Sequence, residues 1–445
     1  MIQFNKENSA RGRVRMLAAG FALAAVMSAG TMLAGTAHAG QTFTVNNVGD
    51  PIEGEPNFGV CNANLCTLRT AITVANNTPG KDTIDFSIPR AGVQSIRPTE
   101  PLPALTDPVV IDGYTQFGAE PNTRPVGNDA QLLIEIDGVN AGAAATGLRI
   151  EADDVTVRGL VIQRFGDAGV SINGDVNKVE GNFIGTDPTG RGVGPGNGDE
   201  GVSIFGGERN TVGGNSPAAR NHISGNEGAG VSIFGSSLGT KANRVQNNYI
   251  GTDKFGTGPL GNGFNGVFIL DSTGNAIGGG QAEANVISFN KGDGVALRSV
   301  NTIFADSGNA IRSNSIYQNE DLGIDLHQDG PTANDPGDPD AGENDLQNKP
   351  AVTSAVTANG TTTVKGKLNS TPDETFQIEF FSNPSGDEGK KLLDQRFVTT
   401  NANGDATYIF TTSKALAAGQ RITATATDAG RNTSEFSAPR TVVAR

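Results

Sequence analysis

Among its 445 residues the chain has no tryptophan, four tyrosines, four methionines, three histidines and two cysteines. Without tryptophan, and with so little tyrosine, it does not suggest an aromatic-rich sugar cleft. Two thiols are too few for a thiolate zinc site or a disulfide-dense scaffold. Positive charge is also short, with 33 Lys and Arg against 47 Asp and Glu. Nucleic acid and anionic membrane are therefore poor partners. Long apolar runs are missing except at the N-terminus, where Arg11, Arg13 and Arg15 precede the stretch from Met16 to Leu33 and the segment closes on Ala37-His38-Ala39. That arrangement reads as a secretory signal peptide over 1–39. Its removal leaves 46 acids against 29 bases, or about −17, and no transmembrane segment in the mature chain. Export to the periplasm, cell surface or medium is expected, as a monomer.

Glycine is abundant, at 61 residues, and it recurs in register. Asn177, Asn243 and Asn309 each open an N-x-[VI] triplet, 66 residues apart, and Asn182, Asn248 and Asn314 each open N-x-I five residues later. Between them run Gly-Val-x-Ile strings or close relatives from Gly169, Gly201, Gly230, Gly266, Gly294 and Gly323. Such short period-two segments between turn residues are strands, and a repeat this regular is a stacked solenoid. The repeated asparagines have a structural explanation, because Asn tolerates left-handed backbone and identical amides stack between coils.

The expected fold is all-β. It consists of a right-handed parallel β-helix (a pectin-lyase-like solenoid) of eight or nine coils over 81–345, a cap over 40–80, and an immunoglobulin-like β-sandwich over 350–445. In the cap, Cys61 and Cys66 suit a local disulfide. Leu68, Ala71, Ile72 and Ala75 fall on one face of a short helix that Thr67 caps. Irregular first coils hold strands at 83–88, 93–96, 109–112 and 132–136. The sandwich holds strands from Val364, Phe376, Gln395, Ala406, Arg421 and Pro439 onward.

The string Cys66-Thr-Leu-Arg-Thr-Ala-Ile72 resembles the C-S-L-R-E-A motif of a family of secreted bacterial right-handed parallel β-helix proteins, and differs from it at Thr70, where the motif has Glu. Further matches are Ile111-Asp-Gly-Tyr-Thr-Gln116, the Ile-Gly-Thr-Asp strings ending at Asp187 and Asp253, Leu322-Gly-Ile-Asp-Leu326, Thr425-Ala-Thr-Asp428 and Asn432-Thr-Ser-Glu-Phe-Ser437. The resemblance implies fold and export. It supplies no catalytic residues.

Within each coil the Gly-Val-x-Ile strand comes first, and alternation turns its Val and Ile inward. Two outward rows follow. One runs Arg149, Ser171, Ser203, Ser232, Phe268, Ala296, Asp325; the other runs Glu151, Asn173, Phe205, Phe234, Leu270, Arg298, His327. At about 4.8 Å per coil they make a surface about 30 Å long, along which a polymer could lie. Inserted loops at 186–199, 235–242, 252–263 and 299–308 border it. Phe205, Phe234, Phe268 and Asn173 are the candidate ligand contacts, with Asp293, Arg298, Asp325 and His327 as candidate catalytic groups at one end. The plainer alternative, and the favoured one, has loops burying the phenylalanines and the charges merely solvated.

A polysaccharide lyase would need a base such as Arg298 or His327 and calcium on Asp293 and Asp325. Hydrolysis would need two carboxylates, for which Asp293 and Asp325 are the only plausible pair. The acidic junction 334–345 is the better metal candidate, with Asp335, Asp338, Asp340 and Asn344 as hard oxygen ligands for calcium. The expected function is binding of a polysaccharide or a partner surface along the first-strand face. A calcium-dependent polysaccharide lyase or related carbohydrate-active enzyme is the alternative.

Overall fold

The structure is a computed structural model that describes residues 39–192, 194–235, 242–300 and 306–445. The signal peptide expected over 1–39 lies outside these, apart from Ala39. Three long sheets run the length of a right-handed parallel β-helix. Sheet 1 has seven strands, from Leu148–Ile150 to Ile324–Leu326, and carries the Gly-Val-x-Ile segments. Sheet 2 has nine, from Thr42–Val45 to Ala310–Arg312; sheet 3 has eight, from Gln94–Ile96 to Ser315–Tyr317. Every pairing in the three is parallel, for example Val202 with Val231 and Val245 with Ile277.

The sequence builds this by filling the interior with aliphatic rows. Val170, Val202, Val231, Val267 and Val295 stack one above another, as do Ile172, Ile204, Ile233, Ile269 and Leu297, and all ten are fully buried. Each such side chain contributes roughly 1.5–3 kcal/mol by leaving water.

At the three corners, asparagine ladders satisfy the backbone that the turns leave unpaired. In the first, the N–H groups of Asn177, Asn210, Asn243, Asn275 and Asn309 donate to the Oδ1 of Asn210, Asn243, Asn275, Asn309 and Asn344. The second runs through Asn182, Asn221, Asn248, Asn285 and Asn314. A third runs through Asn197, Asn226, Asn262, Asn290 and Asn319. Glycine is required beside the third: Gly185 and Gly251 sit at φ 90° and 83°, where a Cβ would strike the next rung's Asn226 and Asn290. The aspartates of the Ile-Gly-Thr-Asp strings are structural. Asp253 Oδ1 accepts from the N–H groups of Phe255, Thr257 and Gly258 at 3.1, 3.0 and 2.9 Å and so ties its inserted loop.

The cap forms as its pattern predicts. Helix α1, Leu68–Ala75, is N-capped by Thr67 and turns Leu68, Ala71, Ile72 and Ala75 into the end of the core. Cys61 and Cys66 are disulfide-bonded. Arg69, buried within the cap, grips Asp50 through Nε at 2.7 Å and Nη2 at 2.9 Å and donates to the carbonyls of Glu100 and Pro101. At Thr70 the hydroxyl accepts from Thr67 Oγ1 at 3.1 Å.

The C-terminal sandwich has two four-stranded sheets and includes a strand, Ala351–Ala358, that the sequence pattern did not signal. It closes the open end of the solenoid. Glu379 accepts from Ser313 N and Oγ at 2.8 and 3.1 Å, Gly389 exchanges two backbone bonds with Ile316, and Lys390 Nζ lies 4.0 Å from the Tyr317 ring centroid. The Asn432–Ser437 segment docks on the last coil. Thr433 Oγ1 accepts from Ile311 N at 3.0 Å, and Glu435 accepts from Thr332 N and from Lys349 Nζ at 2.7 Å.

Candidate functional site on the first sheet

The two outward rows pair in the expected register: Ser203 with Ser232, Ser232 with Phe268, Phe268 with Ala296 and Ala296 with Asp325, and beside them Phe205 with Phe234, Phe234 with Leu270 and Leu270 with Arg298. Their exposure differs from the expectation. The row of Ser203, Ser232, Ala296 and Asp325 is buried; Phe264, on the segment leading into the Phe268 strand, packs edge-on against Phe268 at 5.8 Å. The second row stays open. Phe205 is 36% exposed, Phe234, Phe268 and Leu270 are half-buried, and Asn173 and Arg298 are exposed. Loops therefore narrow the phenylalanine patch without closing it.

The rings are not laid flat as a platform. Phe205 and Phe234 stack on each other with centroids 4.8 Å apart and planes 13° apart, and Phe234 meets Phe268 edge-on at 6.2 Å. Their faces turn along the solenoid axis, so the groove wall is made mainly of ring edges. Phe205 ends the ring stack, and the outward position of the preceding repeat is the exposed Asn173.

At the C-terminal end the charges form two groups. His327 Nδ1 lies 2.8 Å from Glu343 Oε2, and that bond raises the His327 pKa, with Arg298 close enough to oppose the shift slightly. A histidine that holds its proton against a carboxylate is a poor base. Glu343, fully buried, also accepts from the Ser299 N–H. Near it Asp306 is buried, and burial together with the neighbouring Asp271 and Glu343 charges pushes its pKa up to about 8.

The second group is Asp325 and Asp293, each 4% exposed, which corrects the expectation that these charges are solvated. The cover comes from the turn just after Asp325 and from the coil that follows Asp293. The turn at Gly330 donates its N–H to Asp325 Oδ2 at 3.2 Å, and Leu322 N donates to Asp293 at 2.9 Å. Burial, and then the Asp293 charge, raise the Asp325 pKa to about 7. Among the described residues no third carboxylate joins them in a metal-sized cluster.

Such a cluster does form at the junction. One carboxylate oxygen from each of Asp335, Asp338 and Asp340 lies within 4.8 Å of the others. Asp338 is engaged, accepting from Asn348 N at 3.0 Å, Gln347 Nε2 at 2.8 Å and the Ser370 hydroxyl. Asp335 Oδ1 and Asp340 Oδ1 are buried without hydrogen-bond partners. Burial raises the Asp338 pKa to about 6 despite those bonds, with Asp340 and Asp335 adding to it. The three carboxylates, two of them with an orphaned oxygen, are hard donors of the type calcium takes and supply roughly half of the six to eight oxygens it needs. The expected fourth ligand is a correction: Asn344 is the final rung of the first asparagine ladder, its Oδ1 accepting from Asn309 N and its Nδ2 donating to the carbonyls of Asn309 and Thr433.

Glu343 and Asp306 were missed by the sequence reading. Glu343 sits in an acidic stretch that looks like linker, and nothing local marks it as a buried partner of His327.

No family model and no curated protein matches the chain. Among solved structures, similarity is found to full-length tailspike protein 2 (TSP2, ORF211) from Escherichia coli O157:H7 bacteriophage CAB120, at 12% identity over 82% of this chain, with a TM-score of 0.22. The chain covers 60% of that structure, less than two thirds of its length. At that TM-score the likeness carries no argument. No helix of the described residues is long and apolar enough to cross a membrane.

Proposed function

We propose that this is an exported β-helix protein of the kind that carries the C-S-L-R-E-A motif, and that it binds a polysaccharide or a partner surface along the open row of sheet 1. The observation behind this reading is the line of Phe205, Phe234 and Phe268, partly open to solvent, in continuous register beside exposed Asn173 and Arg298. Aromatic edges supply apolar contact, and the exposed amide and guanidinium supply directional hydrogen bonds to hydroxyls. Calcium at the Asp335, Asp338 and Asp340 junction belongs to the same reading as a structural ion, because it would tie the solenoid to the sandwich and lies outside the row.

A second reading, a carbohydrate-active enzyme, has one observation in its favour. Asp325 keeps a proton near neutral pH beside the Asp293 carboxyl, as a general acid must. Incubating the protein with calcium and a panel of acidic and neutral polysaccharides, while following both binding and unsaturated-uronate absorbance, separates the two. Binding without new absorbance or new reducing ends supports the binder. Turnover that is lost in Asp325→Asn would replace it with the enzyme.

A further inference from the structure

Where the sandwich meets the solenoid, away from sheet 1, a cleft of about 550 Å³ opens between the corner at Gly279–Glu283 with Arg312 and Ser313 on one side and Gln377, Leu392–Gln395 and Lys414 on the other. Its size is in the range of small-ligand sites. Its lining is mostly amide and charge, with no aromatic ring.

Two acids and two bases line it, and they differ in their partners. Both carboxylates are engaged: Glu283 Oε2 accepts from Gly280 N at 2.7 Å, and Asp394 is held by Arg396 at 2.6 and 2.7 Å. Both cations are left over. Arg312 Nη1 donates to the neutral Gln377 at 3.0 Å, its Nε is buried with no partner, and neither Arg312 nor Lys414 makes an ion pair among the described residues. The nearest buried carboxylate, Glu379, is occupied by Ser313 N and Oγ and by Gln377 Nε2. Arg431 adds positive charge: burial lowers its pKa first, and the neighbouring Arg312 and Arg244 charges lower it further. Glu379 lies within reach of the Arg312 charge, and the two cations of the cleft stand out because neither is held in an ion pair among the described residues.

We propose that this cleft binds an acidic oligosaccharide, with Arg312 and Lys414 taking the carboxylate of a uronate unit and the side-chain amides of Gln281, Gln377 and Gln395 taking ring hydroxyls. A guanidinium fork matches a planar carboxylate in geometry. The absence of a stacking ring argues against a nucleobase ligand. The site is separate from the open row of sheet 1 and does not depend on it.

The test is calorimetric titration of the purified protein with a uronate trisaccharide and with its carboxyl-reduced, neutral counterpart. The acidic form binds, and the reduced form binds at least about tenfold more weakly. Arg312→Gln and the exposed Lys414→Gln each weaken acidic binding about tenfold, and Phe205→Ala leaves it unchanged. Lys414→Gln lies on the surface, so its effect cannot come from misfolding. The proposal is overturned if no uronate binds, if the acidic and neutral forms bind alike, or if both cation variants keep wild-type affinity. A uronate that binds but is lost only in Phe205→Ala belongs to the sheet 1 row.

Discussion

Replacing Asn248 with alanine cuts the second asparagine ladder in its middle. Asn248 is fully buried; its Oδ1 accepts from Asn221 Nδ2 at 2.9 Å, and its Nδ2 donates to Val212 O at 2.9 Å and Asn285 Oδ1 at 3.1 Å. The backbone N–H of residue 248 would keep its bond to Asn285 Oδ1. Two groups are then stranded where water cannot reach, the Asn221 amide proton and the Val212 carbonyl, and each costs roughly 1–3 kcal/mol. A loss of about 2–6 kcal/mol follows, large against the usual total for a folded domain. Urea unfolding followed by circular dichroism measures it, read as a lower midpoint at unchanged slope. Asn77→Ala is the control, because the Asn77 side chain bonds only the nearby Thr73 carbonyl on an exposed surface and its loss stays within about 0.5 kcal/mol. If Asn248→Ala lowers stability by less than about 1 kcal/mol, the ladders are not what satisfies the corners.

Three further outcomes follow from buried charge. His222 is fully buried against the Thr252 carbonyl, and burial pushes its pKa down to about 4. Its depressed folded pKa stabilises the fold above about pH 6.5, and that contribution, about 3 kcal/mol, is lost as the pH falls through about 4; in His222→Gln, stability should flatten over that window. Asp306 has the opposite sign. With its pKa raised to about 8, its contribution falls as the pH rises from about 4 to about 8, so Asp306→Asn should melt higher than wild type at pH 8 and much the same at pH 4. Calcium should raise the melting temperature through the junction triad, and a chelator or Asp340→Asn should remove that gain; melting indifferent to both would dismiss the ion.

Register was legible because it is written in residue types that only one geometry satisfies. The Val and Ile of each Gly-Val-x-Ile string had to point inward, and this fixed the first outward row from Arg149 to Asp325 and the second from Phe205 to Arg298. The short helix and the Cys61–Cys66 bond were local patterns and were read as such. The third ladder was overlooked although it has a signal: Asn197, Asn226, Asn262, Asn290 and Asn319 each stand four residues before the strand-opening glycine. Uneven loop lengths hid that spacing. The strand Ala351–Ala358 was missed because alternating Ala, Val, Thr and Ser carries little hydrophobic contrast. Burial of Asp325 was not legible although the Gly330 turn that bonds it is local, because the Glu435 segment comes near it only at the folded end of the solenoid. For the same reason Asn344 looked like a ligand, when its partners Asn309 and Thr433 lie 35 and 89 residues away.

If the open row of sheet 1 is a binding surface, the Phe205 ring at its end is where a substitution shows it. Affinity electrophoresis of wild type, Phe205→Ala and Arg312→Gln through gels containing each polysaccharide of a broad panel makes the comparison. A binding row gives at least one polysaccharide that retards wild type and Arg312→Gln alike and retards Phe205→Ala about tenfold less. Retardation by none of the panel, or retardation that Phe205→Ala leaves unchanged, would contradict it.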